Sequence, residues 1–221
     1  MRPRIPFLAK KMNEYDIAAP LAAALAAKGY ASLTSVQQAV LAPEARGRDL
    51  LVSAQTGSGK TVAFGIAMAE NLLDDGTLLP QSGLPLALAI APTRELALQV
   101  ARELGWLYAE TGAQIATCVG GMDYRTERRA LERGAQIVVG TPGRLRDHIE
   151  RGSLDLSALR ACVLDEADEM LDLGFREDLE FILGAAPADR RTLMFSATVP
   201  PAIEALAKDF QRDALRISAL G

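Results

Sequence analysis

Two cysteines, one histidine and one tryptophan are all that 221 residues hold of three residue types on which many functional sites depend. Cys118 and Cys162 sit in separate apolar runs, QIATCVG and ACVLDEA, without metal-ligand spacing, and both read as buried free thiols. His148 falls on a helix expected after TPGR and reads as a surface residue, not a catalyst. Trp106, at helical spacing within RELALQVARELGWLY, reads as packing and not as a stacking platform. No apolar run approaches the ~20 residues that a membrane span needs. The basic start MRPRIPFLAKK lacks the apolar stretch of a signal peptide. The expectation is a cytoplasmic protein with no membrane partner. Positive charge is not in excess either: 24 Lys and Arg against 28 Asp and Glu give a net charge of −4. A global nucleic-acid signature is therefore missing, and only a local patch could serve. Met122 to Arg151 offers one, with Arg125, Arg128, Arg129, Arg133, Arg144, Arg146 and Arg151, although such runs are usually solvated helix faces.

What is present points to one α/β domain. Hydrophobic residues make up 49% and charged residues 24%, and the length suffices for one substantial core. Residues 1–11 read as a leader or expression remnant and residues 12–221 as the domain. Ile17 to Lys28 predicts a helix ended by Gly29, and Val36 to about Arg46 a second. Strand-like runs then alternate with helical ones: LLVSA, LALAIA, QIATCVG, QIVVGT, ACVLDEA, RTLMFSAT and finally ALRIS. This alternation predicts a central, mostly parallel sheet with helices on both faces. Ligands of such sheets bind beyond the C-terminal ends of the strands, where all the motifs fall.

Two motifs carry the chemistry. In AQTGSGKT, Gln55, Thr56, Gly57, Ser58 and Gly59 form a loop between a strand and a helix. Its glycines let backbone N–H groups turn toward phosphate oxygens, and the helix presents its positive end to them. Lys60 would reach the β- and γ-phosphates and Thr61 would hold Mg²⁺ through its hydroxyl. The general pattern begins with glycine, where Ala54 stands here. The second motif, Asp165-Glu166-Ala167-Asp168, follows the apolar run Ala161 to Leu164. Asp165 would bind Mg²⁺ through water, and Glu166 would orient or deprotonate the attacking water. The pair predicts nucleotide hydrolysis with Lys60, Asp165 and Glu166 as catalytic residues. Elsewhere, Thr34 and Gln37 have capping-box spacing. Thr141 reads as an N-cap followed by Pro142 and Gly143, with Arg144 in the first helical turn. Thr93 with Arg94, after Pro92, repeats the arrangement, and Gly120-Gly121 permits close backbone approach.

Taken together, these motifs resemble the first RecA-like domain of the DEAD-box ATP-dependent RNA helicases, over Met12 to about Ser218. GYASLTSVQ resembles the Q motif, AQTGSGKT motif I, DEAD motif II and SAT motif III. PTRELALQ, Gly120-Gly121 and TPGR resemble the three RNA-contacting motifs. The resemblance implies a RecA-like P-loop fold with ATP and Mg²⁺ as cofactors. It implies that Gln37 reads adenine, that Tyr30 and Thr34 also bind the nucleotide, and that Asp168 couples to Ser196 and Thr198. It implies that Pro92, Thr93, Arg94, Gly120, Gly121, Thr141, Pro142, Gly143 and Arg144 contact RNA backbone without sequence preference. A second RecA-like domain in cis would supply arginine fingers, so this domain alone is expected to be monomeric and nearly inactive. The family pattern has proline where Leu33 and Ser35 stand and an aromatic near Met12, departures that bear on adenine packing. The expected activity of the parent protein is ATP hydrolysis coupled to local opening of an RNA duplex. A nucleotide-gated RNA clamp or assembly platform is the rival, and motif spelling disfavours a DNA-unwinding enzyme. Alanine and arginine bias suggests a GC-rich bacterial genome.

Overall fold

The computed structural model describes residues 15–55, 57–74, 76, 79–80 and 83–219. Residues 1–11, Met12 and Thr56, named above, lie outside the described residues. Seven strands form one sheet: β1 (Leu50–Ser53), β2 (Ala87–Ile90), β3 (Ile115–Cys118), β4 (Ile137–Gly140), β5 (Ala161–Leu164), β6 (Arg191–Ser196) and β7 (Leu215–Ser218). Their order is β3-β4-β2-β5-β6-β1-β7 and every neighbouring pair is parallel. The sheet is thus wholly parallel, as befits strands whose inner members are buried on both faces.

Nine α-helices among the described residues cover the two faces: α1 (Ala19–Ala27), α2 (Ser35–Val40), α3 (Lys60–Leu72), α4 (Arg94–Leu107), α5 (Tyr124–Glu132), α6 (Pro142–Glu150), α7 (Ala167–Asp172), α8 (Arg176–Gly184) and α9 (Pro201–Phe210). Strand side chains alternate between faces, and the core divides accordingly. Leu50, Val52, Ala87, Ala89, Val163 and Phe195 pack with apolar residues of α1 to α4. Leu51, Leu88, Ile90, Cys162, Leu164 and Met194 pack with those of α5 to α9. Both cysteines are buried free thiols, and burial is the main cause that pushes each up to about 12.

Local chemistry explains where the second helix departs from expectation. Instead of running to Arg46, α2 ends at Val40, and Pro43–Ala45 forms a separate 3₁₀ turn. Pro43 has no N–H to continue the helix and disfavours helical backbone before it; Ala42 is extended at ψ 145. The strand order also partitions the sheet's C-terminal rim. Loops after β1, β5 and β6 stand on adjacent strands, and those after β2, β3 and β4 occupy the neighbouring half.

Candidate nucleotide site and RNA-facing rim

Between β1 and α3 the chain turns through Gly57 (φ +84) and Gly59 (φ +78), left-handed backbone that glycine adopts without a side-chain clash. A Cβ on Gly59 would collide with Nε2 of Gln37. That contact comes from the capping box of α2. The Thr34 N–H donates to Gln37 Oε1 (3.0 Å) and the Gln37 N–H to Thr34 Oγ1 (3.4 Å). The same two side chains then reach the glycine loop: Gln37 Nε2 donates to Gly59 O (3.0 Å) and Thr34 Oγ1 to Ser58 O (2.9 Å). Gln37 is fully buried, and its amide clasps the loop with one N–H while its oxygen holds the Thr34 N–H. Tyr30 lies nearby, half-buried, with its ring 5.8 Å from that of Trp106. Trp106 packs on the core beneath it.

The first residues of α3, Lys60 and Thr61, are both buried. Lys60 Nζ stands 2.9 Å from Asp165 Oδ1 and donates to Glu166 Oε1 at 3.1 Å. Burial would lower the Lys60 pKa, but the two carboxylates outweigh it and hold the ammonium charged. Asp165 follows β5 directly and is completely buried. Its Lys60 contact lies off the hydrogen-bonding direction, and neither carboxylate oxygen has a hydrogen-bond partner. Desolvation therefore raises its pKa despite the nearby ammonium. Glu166 is held in left-handed backbone (φ +51), a conformation that costs a non-glycine residue ~1 kcal/mol or more. The neighbouring Glu169 carboxyl is pushed up to about 7 by its interaction with Glu166, by burial and by nearby acid charge. Lys60, Glu166, Asp168 and Glu169 line a hollow of ≈ 170 Å³ with Ala54, Asp172 and Ala197.

A hard divalent cation fits this chemistry. Asp165 is a buried carboxylate without hydrogen bonds whose charge is compensated in this conformation by the Lys60 ammonium at 2.9 Å, so its oxygens stand where a cation is favoured. Among the described residues no group of three or more His, Cys, Asp or Glu could hold a metal alone. Magnesium takes one or two carboxylates together with substrate phosphates and water, and Asp165 is a carboxylate of that kind.

On β6, between the strands that carry the loop and the acids, Ser196 is buried and its hydroxyl donates to Thr198 O at 2.6 Å. Asp168 Oδ2 accepts from the Thr198 hydroxyl (2.9 Å) and from the Thr198 N–H (3.0 Å). Burial would raise the Asp168 pKa, but these bonds draw it below the usual carboxylate range. No side chain caps α9, so these residues serve Asp168 and not that helix.

The other half of the rim gathers the remaining residues. Pro92 is buried, Thr93 caps α4 by accepting the Leu96 N–H (3.2 Å), and Arg94 is exposed. Gly120 (φ +72) and Gly121 (φ +67) turn after β3, and a Cβ on Gly121 would collide with the Arg94 guanidinium. Thr141 stands at the N-cap of α6 but makes no side-chain cap bond, contrary to expectation; Pro142 supplies the first helical residue. Gly143 is exposed beside it. Arg144 donates through Nε to Glu127 Oε1 (2.6 Å) and through a terminal nitrogen to Met122 O (3.2 Å). Its charge is thus partly engaged within the protein. His148 is not on the surface: it is wholly buried, with Nε2 2.8 Å from Glu127 Oε1 and Nδ1 2.7 Å from Ser153 Oγ. Glu127 was not singled out by the sequence. Its signal is the spacing to Leu131, which puts an acid on the inward face of α5.

Fold and site define a parallel α/β protein with a glycine loop whose Lys60 meets two adjacent acids. The chain belongs to the DEAD-box helicase family: the family model for DEAD/DEAH box helicases matches residues 34–206. It is 45% identical over 205 residues to the chloroplastic DEAD-box ATP-dependent RNA helicase 3A of Zea mays, covering 91% of this chain and 27% of that protein. It is 44% identical over 201 residues to the ATP-dependent RNA helicase DeaD of Escherichia coli strain K12, covering 90% and 31%. A crystal structure of a DEAD box protein from the hyperthermophile Methanococcus jannaschii superposes with a TM-score of 0.86 at 38% identity. That superposition covers 95% of this chain and 56% of the other. The chain thus spans well under two thirds of the length of these relatives.

Proposed function

We propose that the chain is the ATP- and RNA-binding first domain of an RNA helicase. In the parent protein, its ATP hydrolysis would be coupled to local opening of an RNA duplex. The observation that carries this reading is the cluster Lys60–Asp165–Glu166, brought together from the ends of β1 and β5. In this conformation the ammonium neutralises the acids. A bound triphosphate would draw Lys60 to its phosphates, release Glu166 to orient a water, and leave Asp165 and the Thr61 hydroxyl to hold magnesium. Magnesium when bound supplies neutralisation of the phosphate charge. Gln37 keeps a second amide hydrogen and a second oxygen lone pair beyond its bonds to Gly59 and Thr34, so one side chain would link base recognition to the glycine loop. Thr93, Arg94, Gly120, Gly121 and the start of α6 would track the phosphates of one RNA strand, with steep salt sensitivity. A second RecA-like domain in cis would complete the site with arginine fingers worth ~10³ to 10⁵ in turnover.

The test is binding of a fluorescent ATP analogue with and without Mg²⁺, competed by ATP and GTP. Expected are Mg²⁺-dependent binding, preference for ATP, and loss of binding in Lys60→Ala. A Lys60→Ala variant that binds as the wild type does would overturn the assignment. Equal competition by GTP would remove Gln37 as the adenine reader.

A further inference from the structure

We propose that Glu127 is the positioning residue of the RNA-facing rim: its buried carboxylate fixes the Gly120-Gly121 turn against the first turn of α6 and aims Arg144. The inference rests on the RNA reading above. Glu127 lies on the inner face of α5 and is 2% exposed. Its Oε2 accepts the Val119 N–H at 2.9 Å. Its Oε1 accepts Arg144 Nε at 2.6 Å and faces His148 Nε2 at 2.8 Å. The donors therefore come from the residue before the glycine turn and from two positions on α6.

The glycines explain why an external anchor is needed. Gly120 and Gly121 both hold positive φ and have no side chains with which to fix themselves. The Val119 N–H is the polar group through which α5 holds that turn. Gly121 in turn closes on the Arg94 guanidinium, so setting the turn also sets the distance to the start of α4. On the α6 side, Arg144 is held by its Nε, which restrains its planar fork. The imidazole is locked in the same way. Ser153 Oγ meets His148 Nδ1 (2.7 Å) and the Tyr124 hydroxyl (2.6 Å), and the Tyr124 ring stacks on His148 with centroids 4.4 Å apart. Arg144 and Arg151 flank the other rim of this stack, at 5.3 and 4.6 Å from the Tyr124 centroid.

Chemistry argues that this carboxylate is more than filling. The next inward position of α5, Leu131, packs in the core without polar cost, whereas a buried carboxylate is costly unless fully paired. Burial would raise the Glu127 pKa, but hydrogen bonds from His148, Arg144 and the Val119 N–H hold it down at about 2. A permanent anion is thereby kept beneath a surface meant for anions. It is screened from that surface by the cation it orients.

The experiment titrates a short oligouridine, and separately Mg²⁺-ATP, into the ¹⁵N-labelled chain at low salt, following backbone amides. Wild type is expected to shift at Thr93, Gly120, Gly121 and Gly143 with RNA, and at Gly57 to Thr61 with nucleotide. Glu127→Ala is expected to lose about tenfold or more in RNA affinity, as misplaced groups do, with nucleotide affinity unchanged. Glu127→Gln keeps an acceptor for the Val119 N–H and is expected to lose only about two- to fivefold. If the alanine variant does not fold, the glutamine variant decides: an RNA-specific loss supports the inference, and unchanged RNA affinity overturns it. Equal loss of RNA and nucleotide affinity would mean a merely structural role and also overturns it. A wild type without RNA-induced shifts would refute the RNA reading itself. A responsive wild type with an equally responsive Glu127→Ala would refute only the positioning role.

Discussion

Both halves of the sheet's C-terminal rim contain a carboxylate buried at the foot of a loop, and they treat it in opposite ways. On the nucleotide half, Asp165 has no hydrogen bond and one off-axis cation, and desolvation raises its pKa. On the half that carries the loops after β2, β3 and β4, Glu127 accepts from a backbone N–H, a guanidinium and an imidazole, and stays ionised down to about pH 2. The first is unfinished until a ligand arrives, and strain accumulates beside it in the left-handed Glu166. The second is finished within the protein. Polar groups left unsatisfied mark where binding energy is to be gained, whereas satisfied ones mark where geometry is fixed in advance.

The sharpest way to break this contrast is to delete each carboxylate and measure unfolding by urea at pH 7. Glu127→Ala strands a guanidinium, an imidazole nitrogen and a backbone N–H, and is expected to cost ~3–5 kcal/mol. Asp165→Asn removes a desolvated carboxylate while keeping its shape and leaves its counter-ion Lys60 paired with Glu166, so its stability is expected to change by less than ~1 kcal/mol, or to rise. Similar losses in both would show that the two halves do not differ. Function should reverse the ranking. In a protein that carries both helicase domains, Lys60→Ala is expected to lower ATP turnover by roughly 10² to 10³, the cost of one transition-state donor. Turnover within a few fold of wild type would remove Lys60 from the chemistry.

The two halves were also unequally legible in the sequence. All seven strands stand out as short apolar runs bounded by turn residues, and the nucleotide groups occupy local motifs whose spacing carries the mechanism. The buried network of the other half did not stand out, because its partners meet only through topology. Glu127 and His148 are 21 positions apart and come together because β3 and β4 are neighbours. The arginine-rich surroundings of His148 suggested a solvated helix, yet Leu145 three positions earlier marks the inward face that His148 shares. No motif announces α8 in the sequence, although Leu179, Ile182 and Leu183 have the spacing of a buried stripe. Gln37 was legible as a capping residue, but its clasp on Gly59 depends on α2 packing against the glycine loop.

Acid offers a finer probe of the satisfied half. Glu127 is held at about 2 against an ordinary 4.5, so its ionised form is preferred in the folded state. Its stabilisation is complete above about pH 4.5 and is lost as the pH falls toward 2. The gap in stability between wild type and Glu127→Gln, at most on the order of 3 kcal/mol, is therefore expected to narrow from pH 5 to pH 3 in urea titrations. A gap independent of pH would mean that the carboxylate charge is not what the donors recognise.

The smallest expected effect tests whether the halves communicate. Asp168 opens α7 two residues after the strained Glu166, and Thr198 follows β6, the strand between the acids and the glycine loop. Thr198→Val deletes the hydroxyl bond to Asp168 and keeps the backbone bond from the same residue. Because Thr198 is exposed and half of the contact survives, stability should fall by no more than ~1 kcal/mol. ATP turnover without RNA should stay within about twofold, since no phosphate or water ligand is removed. On the proposed reading the acceleration of turnover by RNA should shrink, because the lost bond ties Asp168, beside the acids, to the segment that follows β6. If RNA accelerates the variant as it does the wild type, the Thr198–Asp168 contact is a local brace, and coupling between the halves runs through another part of the sheet.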